Sequence, residues 1–184
     1  MLFMEGVIAK LACNNRSGVE MKQLLIIRGN SGSGKTSLAK EIQKEFGRNT
    51  LLISQDVVRR EMLWVKDGKG NLAENLLIDL LEYGHQHCEL TILEGILNAD
   101  WYQSLFERAC ELYGDSIHAY YYDLTFEETL RRHAGREQRH EFGEEAMRRW
   151  WKEKDYLEII QERLILADQS LVKTKEEIIR DLRD

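Results

Sequence analysis

Gly29-Asn30-Ser31-Gly32-Ser33-Gly34-Lys35-Thr36 follows the apolar run Leu24-Leu25-Ile26-Ile27 and opens a segment with apolar residues at Leu38, Ala39, Ile42 and Phe46. The run has the character of a strand buried on both faces, and the later spacing is that of an amphipathic helix closed by Gly47. Between them the octapeptide fits GxxxxGK[ST] in the context that pattern requires. Its glycines let backbone N–H groups turn inward around an anion without Cβ clashes. The helix N-terminus adds unsatisfied donors and a favourable dipole. Lys35 is placed for the β- and γ-phosphates of a nucleotide, and the Thr36 hydroxyl for Mg²⁺.

Outward from this loop, strand and helix signals alternate. Leu51–Ile53, Leu90–Leu93, Ile117–Tyr122 and Arg163–Leu166 read as further strands. Val57–Trp64, Leu72–Cys88, a helix capped by Asn98 and running to Tyr113, and Gly143–Lys154 read as helices. Asp67-Gly68-Lys69-Gly70 is a turn between two of them. Thr125 with Glu128, and Thr174 with Glu177, form capping-box patterns that open two more helices. The expected fold is α/β, a three-layer arrangement with a five-stranded parallel sheet flanked by helices.

Composition sets outer bounds. The 184 residues include 13 glycines and no proline, where average usage would give about nine. Proline-rich linkers and polyproline segments are excluded. The length suits one domain, residues 21–184. Residues 1–20 read either as a peripheral extension, with Met21 as the start, or as an extension that packs on the domain. The net charge of −6 disfavours a general affinity for nucleic acid or anionic membrane. Cys13, Cys88 and Cys110 are an odd set without CxxC spacing, the pattern of reduced thiols in a cytoplasmic protein. No apolar run reaches the ~18 residues of a membrane span, and no protein partner is implied.

Three further segments carry candidate chemistry. Asp56 and Arg59 follow the second strand, on the side where parallel sheets bind ligands. A phosphoryl acceptor needs a carboxylate to orient its hydroxyl and take the proton, and Asp56 fits that task; it equally fits a helix cap. Arg59, one turn on, suits substrate or phosphate binding. Glu94 ends an apolar strand before Gly95. It resembles the Walker B carboxylate that orients Mg²⁺ through water, while in related kinases an acid-Gly here touches the acceptor instead. A strand-end acid also satisfies nearby backbone donors. Leu130–His140 carries four arginines against one glutamate, with Gly135 as a hinge. Arg132, Arg136 and Arg139 there suit a lid that closes on the transferred phosphoryl and excludes water. A solvated, salt-bridged helix face is the competing reading.

These residues resemble known families. The loop Gly29–Thr36 is that of P-loop NTPases, and the chain lacks the guanine-reading Asn-Lys-x-Asp of GTPases and the Leu-Ser-Gly-Gly-Gln of ABC proteins. A strand ending in Asp56-x-x-Arg59 about twenty residues later resembles the polynucleotide kinase, zeta-toxin and chloramphenicol phosphotransferase group, within the nucleoside-monophosphate-kinase-like branch. Arg132-x-x-x-Arg136 resembles the lid of the same group. The resemblance implies an ATP- and Mg²⁺-dependent kinase acting on a hydroxyl. Lys35, Asp56, Arg132 and Arg136 are then catalytic, with Asp56 as general base. Gly29, Asn30, Ser31, Gly32, Ser33, Gly34, Lys35, Thr36, Ser37 and Arg132 bind the nucleotide. Asp56, Arg59, Glu94 and Arg139 face the acceptor, and Thr36 and Glu94 the metal. A small molecule, nucleoside or sugar is the favoured acceptor, since a polynucleotide end would need a basic channel. A nucleotide-dependent switch without an acceptor is the other class. Ala167–Ser170 is where such kinases hold adenine.

Overall fold

β1 (Gln23–Gly29) is buried along nearly its whole length, and its alternate residues enter two separate cores. This is the computed structural model of the chain, and it describes residues 22–134 and 143–184. The expected extension over residues 1–20, the hinge Gly135, and Arg136 and Arg139 lie outside the described residues. After β1 come α1 (Lys35–Phe46), β2 (Thr50–Ser54), α2 (Gln55–Val57, continuing into one π turn over Val58–Met62) and α3 (Leu72–His87). Then follow β3 (Leu90–Gly95), α4 (Gln103–Tyr113), β4 (Ile117–Tyr122), α5 (Phe126–Ala134), α6 (Glu144–Trp150), β5 (Glu162–Ile165) and α7 (Leu171–Arg183).

The five strands pair in the order β2-β3-β1-β4-β5, all parallel. Leu24 and Ile26 pack with Leu77 and Leu81 of α3 and Leu105 and Phe106 of α4. Leu25 and Ile27 pack with Leu38 and Ile42 of α1 and Ile178 and Leu182 of α7. Both faces of the sheet are therefore covered, as its apolar strands require. Because every strand points the same way, the segments after β1, β2, β3 and β4 gather at one edge.

The observed elements differ from sequence expectation mainly at their ends. The helix expected from Asn98 begins at Gln103; Asn98 instead closes a preceding turn, its Oδ1 accepting from Asp100 N at 3.0 Å. The expected cap Thr174 lies inside α7, and Ser170 is the real cap, accepting from Lys173 N. Thr174 donates back to the Ser170 carbonyl at 3.0 Å. Thr125 does cap α5 through Glu128 N, but the Glu128 carboxylate turns to Arg131 and Arg132 rather than back to the cap. Those two guanidiniums hold its carboxyl down at about 2. The fifth strand starts one residue early, at Glu162. The segment expected as a helix to Trp64 unwinds through the π turn, with Leu63 N donating to Val58 O.

The helix expected over Gly143–Lys154 ends at Trp150. Its continuation is blocked because the Asn30 side chain takes both backbone groups of Lys152. Asn30 Nδ2 donates to Lys152 O at 2.7 Å, and Lys152 N donates to Asn30 Oδ1 at 3.1 Å. The next anchor is Arg28, at the end of β1 and fully buried. Its Nη1 donates to both carboxylate oxygens of Glu162, its Nη2 to Asp155 Oδ2 at 3.0 Å, and Nε and Nη2 to the Leu97 carbonyl. Asp155 also pairs with Lys152 at 2.7 Å and accepts from Ala99 N. Lys152 extends the cluster to Asp100, also at 2.7 Å, so Arg28 and Lys152 together meet three carboxylates.

A buried cation of this kind cannot be removed without leaving its partners uncompensated. Arg28→Ala is expected to lower the unfolding free energy by about 3–5 kcal/mol, measured by urea denaturation. A double change with Glu162→Gln should recover part of it. A loss below about 1 kcal/mol would contradict the role given to this cluster.

Candidate functional site

The loop between β1 and α1 is shaped by close packing from outside. Gly29, Gly32 and Gly34 all have positive φ, and a Cβ on Gly32 would lie 2.8 Å from the Thr129 carbonyl oxygen of α5. Only a residue without a side chain lets α5 rest on the loop at that distance. Lys35 is buried, and its Nζ donates to Asn30 O at 2.9 Å and Ser33 Oγ at 3.3 Å, within the concavity of the loop. The lysine therefore supplies a positive charge where the turn and the α1 N-terminus already favour an anion.

Beside it, β3 delivers Glu94, which is almost fully buried. Thr36 Oγ1 donates to this carboxylate, 3.1 Å from either oxygen, and Ser54 Oγ donates to Oε1 at 2.5 Å. Ser54 and Glu94 are register partners across the β2–β3 pair, so strand pairing alone brings them together. One carboxylate and two hydroxyls form an all-oxygen set. Such a set suits a hard divalent cation like Mg²⁺, which takes one or two carboxylates and completes its shell with phosphate and water.

These groups floor a cleft of about 530 Å³ that extends from Ser31 to the ends of β2 and β3. Lys40, Arg60 and His133 also border it. Asp56 stands on its rim with its side chain half exposed. Arg59 Nη2 donates to Asp56 Oδ1 at 2.8 Å, and Arg60 Nε lies 3.1 Å from the same oxygen. The two arginines hold this carboxylate at the cleft mouth, opposite Lys35 and Glu94. Arg60 also lies against the ring of Trp150, on α6, at 5.9 Å. Trp151, the adjacent indole, packs edge-on against Phe126.

Arg132, on α5, reaches the loop from the other side. Its Nη1 donates to Ser33 O at 2.9 Å and its Nη2 to Ala167 O at 3.1 Å. It thus connects the phosphate loop to the segment after β5. Ser31 and Ser37 also line the cleft, while the Asn30 side chain points to Lys152. His85 and His87 make ring contacts with Tyr113 and Tyr83 on the outer helices. Among the described residues no His, Cys, Asp and Glu cluster could hold a metal by itself. No described helix is long and apolar enough to cross a membrane.

Sequence reading missed Ser54, Gln55 and Arg28. Ser54 was readable only with the strand order, because its tie to Glu94 depends on β2 lying beside β3. Gln55 is fully buried and donates to Asp67 and Tyr102, partners that the chain order does not reveal. Arg28 was visible as a charge at the end of an apolar run, but its carboxylates are 127 and 134 residues away.

Comparison with known proteins agrees with this architecture. The APS kinase of Mycobacterium tuberculosis, solved with AMPPNP and APS, superposes with a TM-score of 0.62 at 16% identity, over 89% of this chain and 99% of that one. A gluconokinase from Sinorhizobium meliloti gives 0.59 at 14% identity, over 89% and 93%. Shikimate kinase from Acinetobacter baumannii, solved with shikimate, gives 0.57 at 16% identity, over 89% and 94%. The shared feature at these identities is the P-loop NTPase fold. No curated protein matches the chain. A family model described as an AAA domain (AAA_33) matches residues 24–155, the stretch that runs from β1 through the loop, Glu94 and α5 to Asp155. By that match, over more than half its length, the chain belongs to the AAA_33 family of P-loop proteins.

Proposed function

We propose that this protein is an ATP- and Mg²⁺-dependent phosphotransferase that moves the γ-phosphoryl of ATP to a hydroxyl of a small molecule, nucleoside or sugar. The observation that carries this reading is the meeting of Lys35, Thr36 and Glu94 on the floor of a cleft whose rim holds Asp56. The solved structures of similar fold include kinases of small molecules, which supports the same class. Within that class we place the chain nearest the polynucleotide kinase, zeta-toxin and chloramphenicol phosphotransferase group, on the Asp56-x-x-Arg59 and Arg132-x-x-x-Arg136 spacings.

Backbone N–H groups of Gly29–Thr36 bind the nucleotide phosphates, and Lys35 leaves the Asn30 carbonyl to lie on the β- and γ-phosphates. Thr36 and Glu94 would hold Mg²⁺, which offsets charge on the phosphate oxygens when bound. Asp56 orients the acceptor hydroxyl. As the new oxygen–phosphorus bond forms, the bond to the ADP oxygen breaks and the hydroxyl proton passes to Asp56. Arg132 reaches the nucleotide from α5, and Arg136 and Arg139 belong to an arginine-rich lid that screens the phosphoryl from water. Arg59 holds the acceptor beside Asp56. The free thiols Cys88 and Cys110 suit the cytoplasm, where glutathione keeps such groups reduced.

Two substitutions test this scheme with labelled ATP and a panel of sugars, nucleosides, hydroxy acids and oligonucleotide ends. Lys35→Ala should abolish transfer to every acceptor. Asp56→Asn should leave the ATP Kd within about twofold and lower kcat for transfer by about 10²–10⁴. A fully active Asp56→Asn protein would overturn the base assignment. Tight ATP binding with no acceptor phosphorylated would favour a nucleotide switch.

A further inference from the structure

The turn Asp67-Gly68-Lys69-Gly70 carries a carboxylate to which the phosphoryl-transfer scheme gives no task. Asp67 Oδ1 accepts from the Tyr102 phenol at 2.7 Å and from Gly68 N at 3.1 Å, and Oδ2 accepts from Gln55 Nε2 at 3.1 Å. Tyr102 is fully buried at the start of α4, and its oxygen also accepts from Gln55 Nε2 at 2.9 Å and Asn71 Nδ2 at 3.3 Å. Burial, then the Asp67 carboxylate, raises the phenol well above its ordinary value, so it stays a donor. Gln55 directly precedes Asp56. Its side chain lies against Gly95, where a Cβ would come within 2.6 Å of the Gln55 Cβ. Asp67 is thus fixed by Gln55 of α2 and by Tyr102 at the start of α4, with the α3 cap Asn71 holding Tyr102 from the other side.

One more group lies near the same oxygen. Arg59 Nε is 3.8 Å from Asp67 Oδ2, beyond hydrogen-bond reach. That Nε is buried and makes no hydrogen bond. The other end of the guanidinium is engaged, with Nη2 on Asp56 Oδ1 at 2.8 Å. One arginine therefore stands between two carboxylates, hydrogen-bonded to Asp56 and to the Val65 carbonyl, and ion-paired with Asp67 without a hydrogen bond. A buried donor left unpaired is unfavourable. Movement of Arg59 toward Asp67 satisfies that donor and releases one contact from Asp56.

We propose that Asp67 is a positioning residue, acting through Arg59 on Asp56. When an acceptor oxygen reaches Asp56, Arg59 Nε closes on Asp67 while Nη2 passes from Asp56 to the acceptor. Asp67 then takes up the arginine, and Asp56, with Arg60 still 3.1 Å from Oδ1, carries one guanidinium fewer on the carboxylate that accepts the hydroxyl proton. Tyr102 and Gln55 keep Asp67 in place for this exchange. The inference rests on the reading of Asp56 as the base.

Water is the acceptor probe, with phosphate release from Mg²⁺–ATP as the assay. Asp67→Asn should lower kcat at least about fivefold while KM for ATP stays within about twofold. In an Arg59→Lys background, Asp67→Asn should change kcat by less than about twofold, because a residue that acts through Arg59 has nothing left to act on. Multiplicative losses, or an unchanged kcat for Asp67→Asn, would overturn the proposal. An Asp56→Asn protein that hydrolyses ATP at the wild-type rate overturns the base reading instead. Loss in Asp56→Asn with none in Asp67→Asn overturns the positioning role alone. If Asp67→Asn does not fold, or hydrolysis is too slow to measure, NMR of the intact protein decides. The Arg59 Nε–Hε proton should exchange more slowly with Mg²⁺ and a non-hydrolysable ATP analogue bound than in the free protein, because the bond to Asp67 then forms. Exchange unchanged by the analogue would overturn the proposal.

Discussion

A guanidinium shut away from water must find its counter-charges inside the protein, and Arg28 finds them in Asp155 and Glu162. Much of the architecture hangs on that requirement. Arg28 ends the central strand, one residue before the phosphate loop. Asp155 belongs to the segment returning from α6, and Glu162 begins the edge strand β5. The Leu97 carbonyl brings in the chain after β3. A single side chain thereby joins four parts of the chain, three of them near the edge at which ligands gather. Breaking such a pair is far more costly than never having made it, because Glu162 would then be a buried charge without its counter-charge.

The phosphate loop uses this frame on both flanks. Asn30 grips the backbone of Lys152, two residues beyond α6, and Arg132 bonds the Ser33 carbonyl from α5. The helices on either side of the arginine-rich stretch are thus both tied to the loop that would hold the phosphates. On its floor, Glu94 gathers the hydroxyls of Thr36 and Ser54. Lys35 turns inward on the loop's own carbonyl. Each polar group therefore has a partner of the kind that nucleotide phosphates and a cation would replace. This is pre-organisation, with the side chains already turned toward the place where charge will sit.

The octapeptide Gly29–Thr36 made the fold class legible, because its chemistry demands a strand before it and a helix after it. The alternation of elements and all five strands followed from apolar runs. Element ends were less legible where tertiary bonds decide them. The helix after Gly143 stops at Trp150 because Asn30, some 120 positions away, takes the next backbone groups. Ser170 caps α7 with Lys173 rather than an acid three residues on, so it lacks the sequence mark of a capping box. In the site, Lys35, Thr36, Glu94 and Asp56 were visible as motif residues. Gln55, Asp67 and Tyr102 were not, since they become neighbours only where the start of α2, the turn before α3 and the start of α4 meet through their side-chain bonds.

The central claim concerns what the loop, Thr36 and Glu94 are arranged to hold. A crystal structure with a non-hydrolysable ATP analogue and Mg²⁺ tests it most directly. The account predicts that Lys35 Nζ leaves Asn30 O for the β- and γ-phosphate oxygens, with the cation between those phosphates and the Thr36–Glu94 pair. An analogue bound elsewhere, with Lys35 still on the Asn30 carbonyl and Glu94 still closed on Thr36 and Ser54, would contradict it.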